Sequence, residues 1–346
     1  PPACVDQVAE VTDTRASEVD RRTVVRRLLA LRASRHVALA TALLLVVYAV
    51  VGLVCLHSFR TASAEINGLD ARATGQLEHL GVHGDPRSVE VRWRLPDGRT
   101  AHATVTLAVS PPRPGTKVPV AYDPELPRRA VIPRATVFDT LDRSATGMGV
   151  VTTLIALILL FELAVSITGV LLLRRRGRAL AVRRIRLQRG LSTRSWLETA
   201  DTPERWIPVH FDPVLVTLPT PVRVRVYGDP WRDRLVAVEV PASDAEASTS
   251  DDTMLLPSGL VRAGHPRGRR ADNPAEPDTQ APAHAAVLTR MSRQLRADAP
   301  RLVIAPLVGV FWAILDDGGF LSWLAATAMV ATFSLWVAAI RGSDPS

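Results

Sequence analysis

Lysine is almost absent from this sequence, cysteine is scarce, and aromatic residues make up 5% of its 346 residues. Lys117 is the one lysine, so arginine carries nearly all the positive charge in a balance of 42 basic against 34 acidic residues, net +8. Cys4 and Cys55 are far apart in sequence and Cys55 lies in an apolar run, which excludes a disulfide framework. Two cysteines among 8 scattered histidines also lack the paired spacing of a zinc site. Also missing are a nucleophile elbow, a phosphate-cradling glycine loop and an H-E-x-x-H helix. These absences leave no catalytic constellation and imply no cofactor and no metal. The arginine-rich stretches have few aromatic neighbours for base stacking, so nucleic acid is not an expected partner either.

What the sequence has is hydrophobic length. Its apolar residues, 47% of the total, are bunched into long uncharged runs, and about 20 helical residues cross the ~30 Å hydrocarbon core of a bilayer. Residues 37–56 form a first span without a charge, and 148–173 a second, interrupted only by Glu162. Residues 302–315 and 320–340 form a third and fourth, joined by Asp316-Asp317-Gly318-Gly319, a tight turn that makes the pair a helical hairpin. The third is short: its residues cover about 21 Å, so its ends extend into the interface, or it is re-entrant.

Arginine asymmetry sets the orientation. Residues 17–36 carry six arginines and 58–75 carry two; 128–147 carry four and 174–190 carry eight. One arrangement fits: leader inside, 57–147 outside, 174–301 inside and C-terminal end inside, in the cell (inner or plasma) membrane. Ala62-Ser63-Ala64 offers a cleavage signal after the first span, but a 36-residue leader and 20-residue apolar core are too long for a signal peptide. The leader itself, 1–36, places Val24, Val25, Leu28 and Leu29 on one helical face, with Arg22, Arg26 and Arg27 elsewhere. It reads as a positive-inside flank with the pattern of a basic amphipathic helix.

The segment between the first two spans holds strands. Val89, Val91, Trp93 and Leu95 alternate with Glu90, Arg92 and Arg94; after Pro96-Asp97-Gly98, Ala101, Ala103, Val105 and Leu107 alternate in turn, which predicts a hairpin. A strand at 118–122 and a short one at 130–132 complete a small antiparallel module. A span, a β-module with the Asp97-Gly98-Arg99 turn, a closing strand of the form G-x-x-V-x-V-x-Y-D-P-x-x-P, and a second span together resemble an uncharacterised family of bacterial membrane proteins. The residues that carry the resemblance are Asp97, Gly98, Arg99, Gly115, Val118, Val120, Tyr122, Asp123, Pro124 and Pro127, within residues 37–173. It implies the layout and supplies no chemistry. The rest of the chain is similar to longer actinobacterial versions, in keeping with the arginine-for-lysine bias of a GC-rich coding region.

Beyond the second span, residues 174–240 open with Arg174, Arg175, Arg176, Arg178, Arg183, Arg184, Arg186 and Arg189, and continue with strand patterns at 207–210, 222–226 and 235–240. Residues 207–215 share five of nine positions with 118–126, which predicts a second β-module of related type. Residues 241–286 read as a mostly disordered linker, with a possible returning strand at 255–259. Residues 287–301 read as an amphipathic helix entering the third span. The fold class is therefore an α+β membrane protein: four transmembrane helices with two small antiparallel β-modules.

Few side chains invite a functional reading. His83/Asp85 and His210/Asp212 are His-x-Asp pairs without a third ligand and read as turn polar groups. The arginine run from 174 to 189 could hold anionic headgroups of the inner leaflet, at about 1 kcal/mol per arginine. Glu162 lies mid-span, where a charged acid costs roughly 2–4 kcal/mol. It is expected to be protonated or paired and to face the bundle, with Tyr48 at matching depth as its donor. A clamp between helices is favoured over a proton or cation site, so the sequence reads as a membrane scaffold or assembly partner in the cell envelope, its protein partner unnamed, with proton- or ion-coupled transport through Glu162 as the alternative.

Overall fold

The structure, a computed structural model, describes residues 31–241, 253–272 and 281–346. The leader segment 1–30, with the helix pattern expected there, lies outside the described residues. Two compact units are present: residues 48–158, and residues up to 47 together with 159–346.

Helix α1 (Arg32–Ile66), which enters the first unit at residue 48, continues well past its apolar stretch. Its 35 residues rise about 52 Å, more than the ~30 Å of hydrocarbon requires. Strands β1 (Ala71–Leu80), β2 (Ser88–Arg94), β3 (Thr100–Thr106), β4 (Lys117–Tyr122) and β5 (Ala130–Val131) follow, then helix α2 (Thr136–Leu173). The sheet is antiparallel in the order β3-β2-β1-β4-β5. The expected hairpin is β2–β3, with Trp93 opposite Ala101 and the Asp97 carboxylate accepting the Arg99 N–H at 2.9 Å in the turn. Alternation decides which face is buried: Val89, Val91, Trp93, Ala101, Ala103, Val105, Val120 and Tyr122 pack with Ala62 and Ile66 of α1 and Val137 and Leu141 of α2. The ends of the two long helices thus complete the core of a sheet too small to enclose one alone. Lower down, Gly147 packs against Cys55 and Gly52 against Val151, small residues letting helix backbones approach.

The central strand, β1, alternates as its neighbours do, but its core-facing residues Ala71, Ala73 and Gly75 are small. Its sequence, A-R-A-T-G-Q-L-E-H-L, is thin because the position demands it. A Cβ on Gly75 would lie 2.6 Å from Val120 Cγ2 and 2.7 Å from Val91 Cγ1. The glycine lets side chains of both neighbouring strands close over the middle of the sheet.

The second unit holds a seven-stranded sheet. Its elements are β6 (Gly177–Arg189), β7 (Ser192–Thr199), β8 (Trp206–Val209), the single turn α3 (Val214–Thr217), β9 (Val222–Tyr227), β10 (Ala237–Val240), β11 (Thr253–Leu255) and β12 (Arg269–Asp272). The order is β11-β10-β9-β6-β7-β8, and β12 also pairs with β6. Helices α4 (Ala281–Leu288) and α5 (Met291–Asp298) and a 3-10 turn (Ala299–Val303) lead into α6 (Ile304–Asp316) and α7 (Gly319–Ile340). The α6–α7 turn is closed by Ser322 Oγ donating to Asp316 and by Trp323 Nε1 donating to the Pro306 carbonyl at 3.2 Å. Among the described residues, four helical runs, Arg32–Ile66, Thr136–Leu173, Ser292–Asp316 and Gly319–Ile340, are long and apolar enough to cross a membrane. The fold is α+β, with two antiparallel sheets and four such helices among the described residues.

Three elements differ from the sequence expectation. The basic run after the second span is mostly β6, the longest strand. Its Leu180 and Val182 face the core around Leu197, Ile207, Val209 and Val226, whereas Ile185 and Leu187 meet Trp196 and Trp206 in a separate cluster. The stretch 241–286 is not mainly irregular where it is described. Thr253–Leu255 extends the sheet beside β10, Arg269–Asp272 fills the edge of β6 that β9 leaves after Val182, and Ala281–Leu288 is helical. An unpaired edge of a long strand recruits backbone regardless of composition. The single helix expected over 287–301 is two helices, α4 and α5, followed by the 3-10 turn that carries Pro300.

Replacing Gly75 by valine overpacks the middle of the first sheet. A loss of about 1–3 kcal/mol is expected, read as a lower unfolding midpoint of the detergent-solubilised protein and faster proteolysis between residues 67 and 135.

Candidate functional site

Glu162 is held by two other helices. Thr41 Oγ1 of α1 donates to its Oε1 at 2.9 Å, and Trp336 Nε1 of α7 donates to the same oxygen at 2.8 Å. Trp336 is 7% exposed; its ring meets Phe161 edge-on at 5.5 Å and tilts against Phe333 at 5.5 Å. In hydrocarbon neither an indole N–H nor a carboxylate can turn to water, so each is satisfied by the other. The carboxylate ties α1, α2 and α7 together. Tyr48, the donor expected from the sequence, is buried and belongs to the other unit. Trp336 was missed because donor and acceptor lie on spans 174 residues apart, and matching depth between the first two spans was the only available guide.

A second buried polar group joins the segment after α7 to the sheet. Arg184 is 2% exposed and its Nη2 donates to Asp344 Oδ2 at 2.9 Å, where Ser195 Oγ also donates at 2.6 Å. Arg184 Nη1 donates to the Leu215 carbonyl at 3.2 Å. Gln294 of α5 donates to the carbonyl of Ser343, and Asp344 N–H to the carbonyl of Thr193 at 2.9 Å. Gly342, at φ 63°, makes the bend that admits this segment, since a Cβ there would lie 2.8 Å from Ser258 Cβ and 3.0 Å from His210 Nδ1. His210 packs there with Arg194 nearby. Its pKa is pushed down to about 3, by loss of water first and then by the neighbouring His36 and Arg194.

The arginines from 174 to 189 therefore have different fates. Arg184 is a core residue and is out of reach of any headgroup. Arg175 pairs with Asp233 at 2.5 Å, Arg183 with Glu198 at 3.4 Å, and Arg186 donates to Ser346 Oγ at 3.3 Å. Arg178 lies 5.5 Å over the Trp231 ring. Arg174, Arg176 and Arg189 are exposed.

The residues behind the family resemblance shape the first sheet. Asp97 and Gly98 form the β2–β3 turn, the Gly115 N–H donates to the Leu77 carbonyl at 2.7 Å, and Tyr122 lies against Trp93 with ring centroids 5.8 Å apart. Asp123 Oδ1 accepts the N–H groups of Glu125 and Leu126 in the turn that Pro124 opens. The similar segment 207–215 is built the same way: Val209 and Phe211 are buried, as Val120 and Tyr122 are, and Asp212 Oδ1 accepts the Val214 N–H at 3.0 Å. Burial holds the Asp212 carboxyl above its ordinary value, opposed by that hydrogen bond and by Arg32. Asp85 is likewise a turn residue, accepting the Arg87 N–H at 2.9 Å. Among the described residues, no three of His, Cys, Asp and Glu come together as a metal-binding group.

Residues 62–125 match the model of the family described as Rv1733c-like dormancy-induced membrane protein, a bacterial membrane family without an established activity. The matched segment covers β1 to β4 and holds every residue of the resemblance except Pro127. No curated protein and no solved structure matches the chain. The family match and the four apolar helices make this a multi-pass membrane protein.

Removing one partner of the buried pair leaves the other uncompensated. Asp344→Ala is expected to cost about 3–5 kcal/mol, and the double variant Arg184→Met/Asp344→Leu less than either single change, measured by denaturant unfolding in detergent. His210 gives a second expectation. With a folded pKa of about 3 and an unfolded value near 6.5, the unfolded chain alone takes up this proton between those limits. Stability is whole above pH 6.5 and falls on acidification, by at most about 1.4 kcal/mol per pH unit from this group. Unfolding midpoints from pH 7 to 4 should flatten in His210→Gln.

Proposed function

We propose that the protein is a non-catalytic scaffold or assembly partner of the bacterial cell envelope, held in the cell membrane by four spans. The arginine asymmetry then puts the first sheet on the extracytoplasmic side, and the second sheet with both flanks of the chain on the cytoplasmic side. The observation that supports this reading is the use made of Glu162: both donors reach one oxygen from two other helices. A transport site needs an acid open to an ion or a proton path, whereas one oxygen of this acid takes both donors from two other helices. The surface offered to a protein partner is the polar face of the first sheet, where Arg72, Thr74, Gln76, Arg92, His102 and Thr104 are exposed. On that face Arg92 pairs with Glu78 at 2.9 Å, so its charges are already ordered.

Two measurements test the reading. Glu162→Gln keeps a carbonyl oxygen to accept both bonds and should leave the unfolding midpoint nearly unchanged, whereas Glu162→Leu strands two donors and should cost about 1–2 kcal/mol. A photo-crosslinker at Thr74 or Thr104 in living cells should yield a discrete protein adduct that Glu162→Gln retains. Proton or cation flux through the purified protein in liposomes, abolished by Glu162→Gln, would replace the scaffold with a transporter.

A further inference from the structure

Four arginines distant in sequence meet at one end of the α6–α7 hairpin. Arg301 stands in the 3-10 turn before α6, and Arg341 directly follows α7. The 3-10 turn makes up for the shorter α6, and Arg301 stands near Arg341; with α6 and α7 across a bilayer, the two lie at one boundary of it. Arg194 of β7 reaches them: its Nε donates to the Arg341 carbonyl at 2.9 Å and its Nη2 to the Ser258 carbonyl at 2.6 Å. Arg194 and Arg262 lie 5.4 and 5.6 Å from the centroid of the Trp196 ring. Arg301 donates to Ser192 Oγ at 2.6 Å and to Asp298 at 3.3 Å.

This cluster is short of negative charge. Arg194, Arg262 and Arg341 have no acidic partner among the described residues, and Arg301 shares Asp298 with His36. The strain registers on Arg194, whose pKa is lowered to about 10, by desolvation first and then by Arg341, Arg262 and Arg301. Beside the cations begins an apolar surface: Val303, Ile304 and Leu307 are 66%, 53% and 68% exposed. Cations at the level of a bilayer boundary, with bare aliphatic surface running away from them into the span, are complementary to a phosphate attached to acyl chains.

We propose that Arg194, Arg262, Arg301 and Arg341 form a headgroup site for an anionic phospholipid, with its phosphate among the guanidinium groups and its acyl chains along Val303, Ile304 and Leu307. The site rests on α6 and α7 crossing the bilayer and not on the scaffold role. It is separate from the run 174–189, where Arg175, Arg183 and Arg184 already have acidic partners. The apolar half distinguishes a lipid from free phosphate, which would use the cations alone.

The intact protein, purified in mild detergent, is incubated with phosphatidylglycerol, phosphatidylcholine or inorganic phosphate, and the adducts are counted by native mass spectrometry. Phosphatidylglycerol should be retained in preference to the other two. Arg262→Gln and Arg341→Gln should each weaken retention about five-fold, the change that about 1 kcal/mol per basic residue represents. Arg174→Gln and Arg176→Gln should leave it unchanged. Arg262 and Arg341 are exposed, so their loss spares the fold, and Arg262→Lys, which keeps the charge, should retain the adduct. Equal retention of the two lipids, equal binding of inorganic phosphate, or losses that follow Arg174 and Arg176 would each overturn the site.

Discussion

The constraint behind the helical part of this protein is that hydrocarbon offers no water to a polar group. Glu162 can stand in α2 only because Thr41 and Trp336 bring donors to it, and those donors can stand in their own helices only because the acid receives them. At this depth α1, α2 and α7 are therefore held in one arrangement. Rotating any of them exposes a carboxylate, a hydroxyl or an indole N–H to lipid. The rings of Phe161 and Phe333 on either side of Trp336 add apolar contact, which fixes where the indole can point.

Arginine shows how one residue type divides under tertiary structure. On β6 the side chains alternate, and Arg184 falls on the face of Leu180 and Val182, where period two calls for an apolar residue. It is tolerated because Asp344, Ser346 and the Leu215 carbonyl surround its guanidinium. One position earlier, Arg183 points the other way and reaches from the surface to the buried Glu198. Arg194 takes a third course, donating to two carbonyls while other arginines crowd it. Charge density along the chain foretold none of these differences.

The two sheets share a local device. In each, a V-x-Y/F strand end buries two apolar side chains, and an Asp-Pro turn follows in which the aspartate accepts backbone N–H groups. Val120, Tyr122 and Asp123 do this in one, and Val209, Phe211 and Asp212 in the other. The device needs only neighbouring residues, and so it could be read from the sequence twice. The β2–β3 hairpin was legible for the same reason, its alternation and turn chemistry lying within about twenty residues.

What the sequence determined by itself are the features with short-range causes: four apolar runs, the turn between the last two, the alternating strands and the small antiparallel sheet between the first two spans. Tertiary structure decided the features whose causes are far apart in the chain. β1 is central because Gly75 admits Val91 and Val120, and β12 is a strand because β6 has an open edge. Glu162 has its indole donor because α7 packs where Trp336 can reach, and four arginines form a cluster because the hairpin ends lie against β7. Periodicity reports which face of an element avoids water. It carries no record of which distant residue will satisfy the polar groups left on that face.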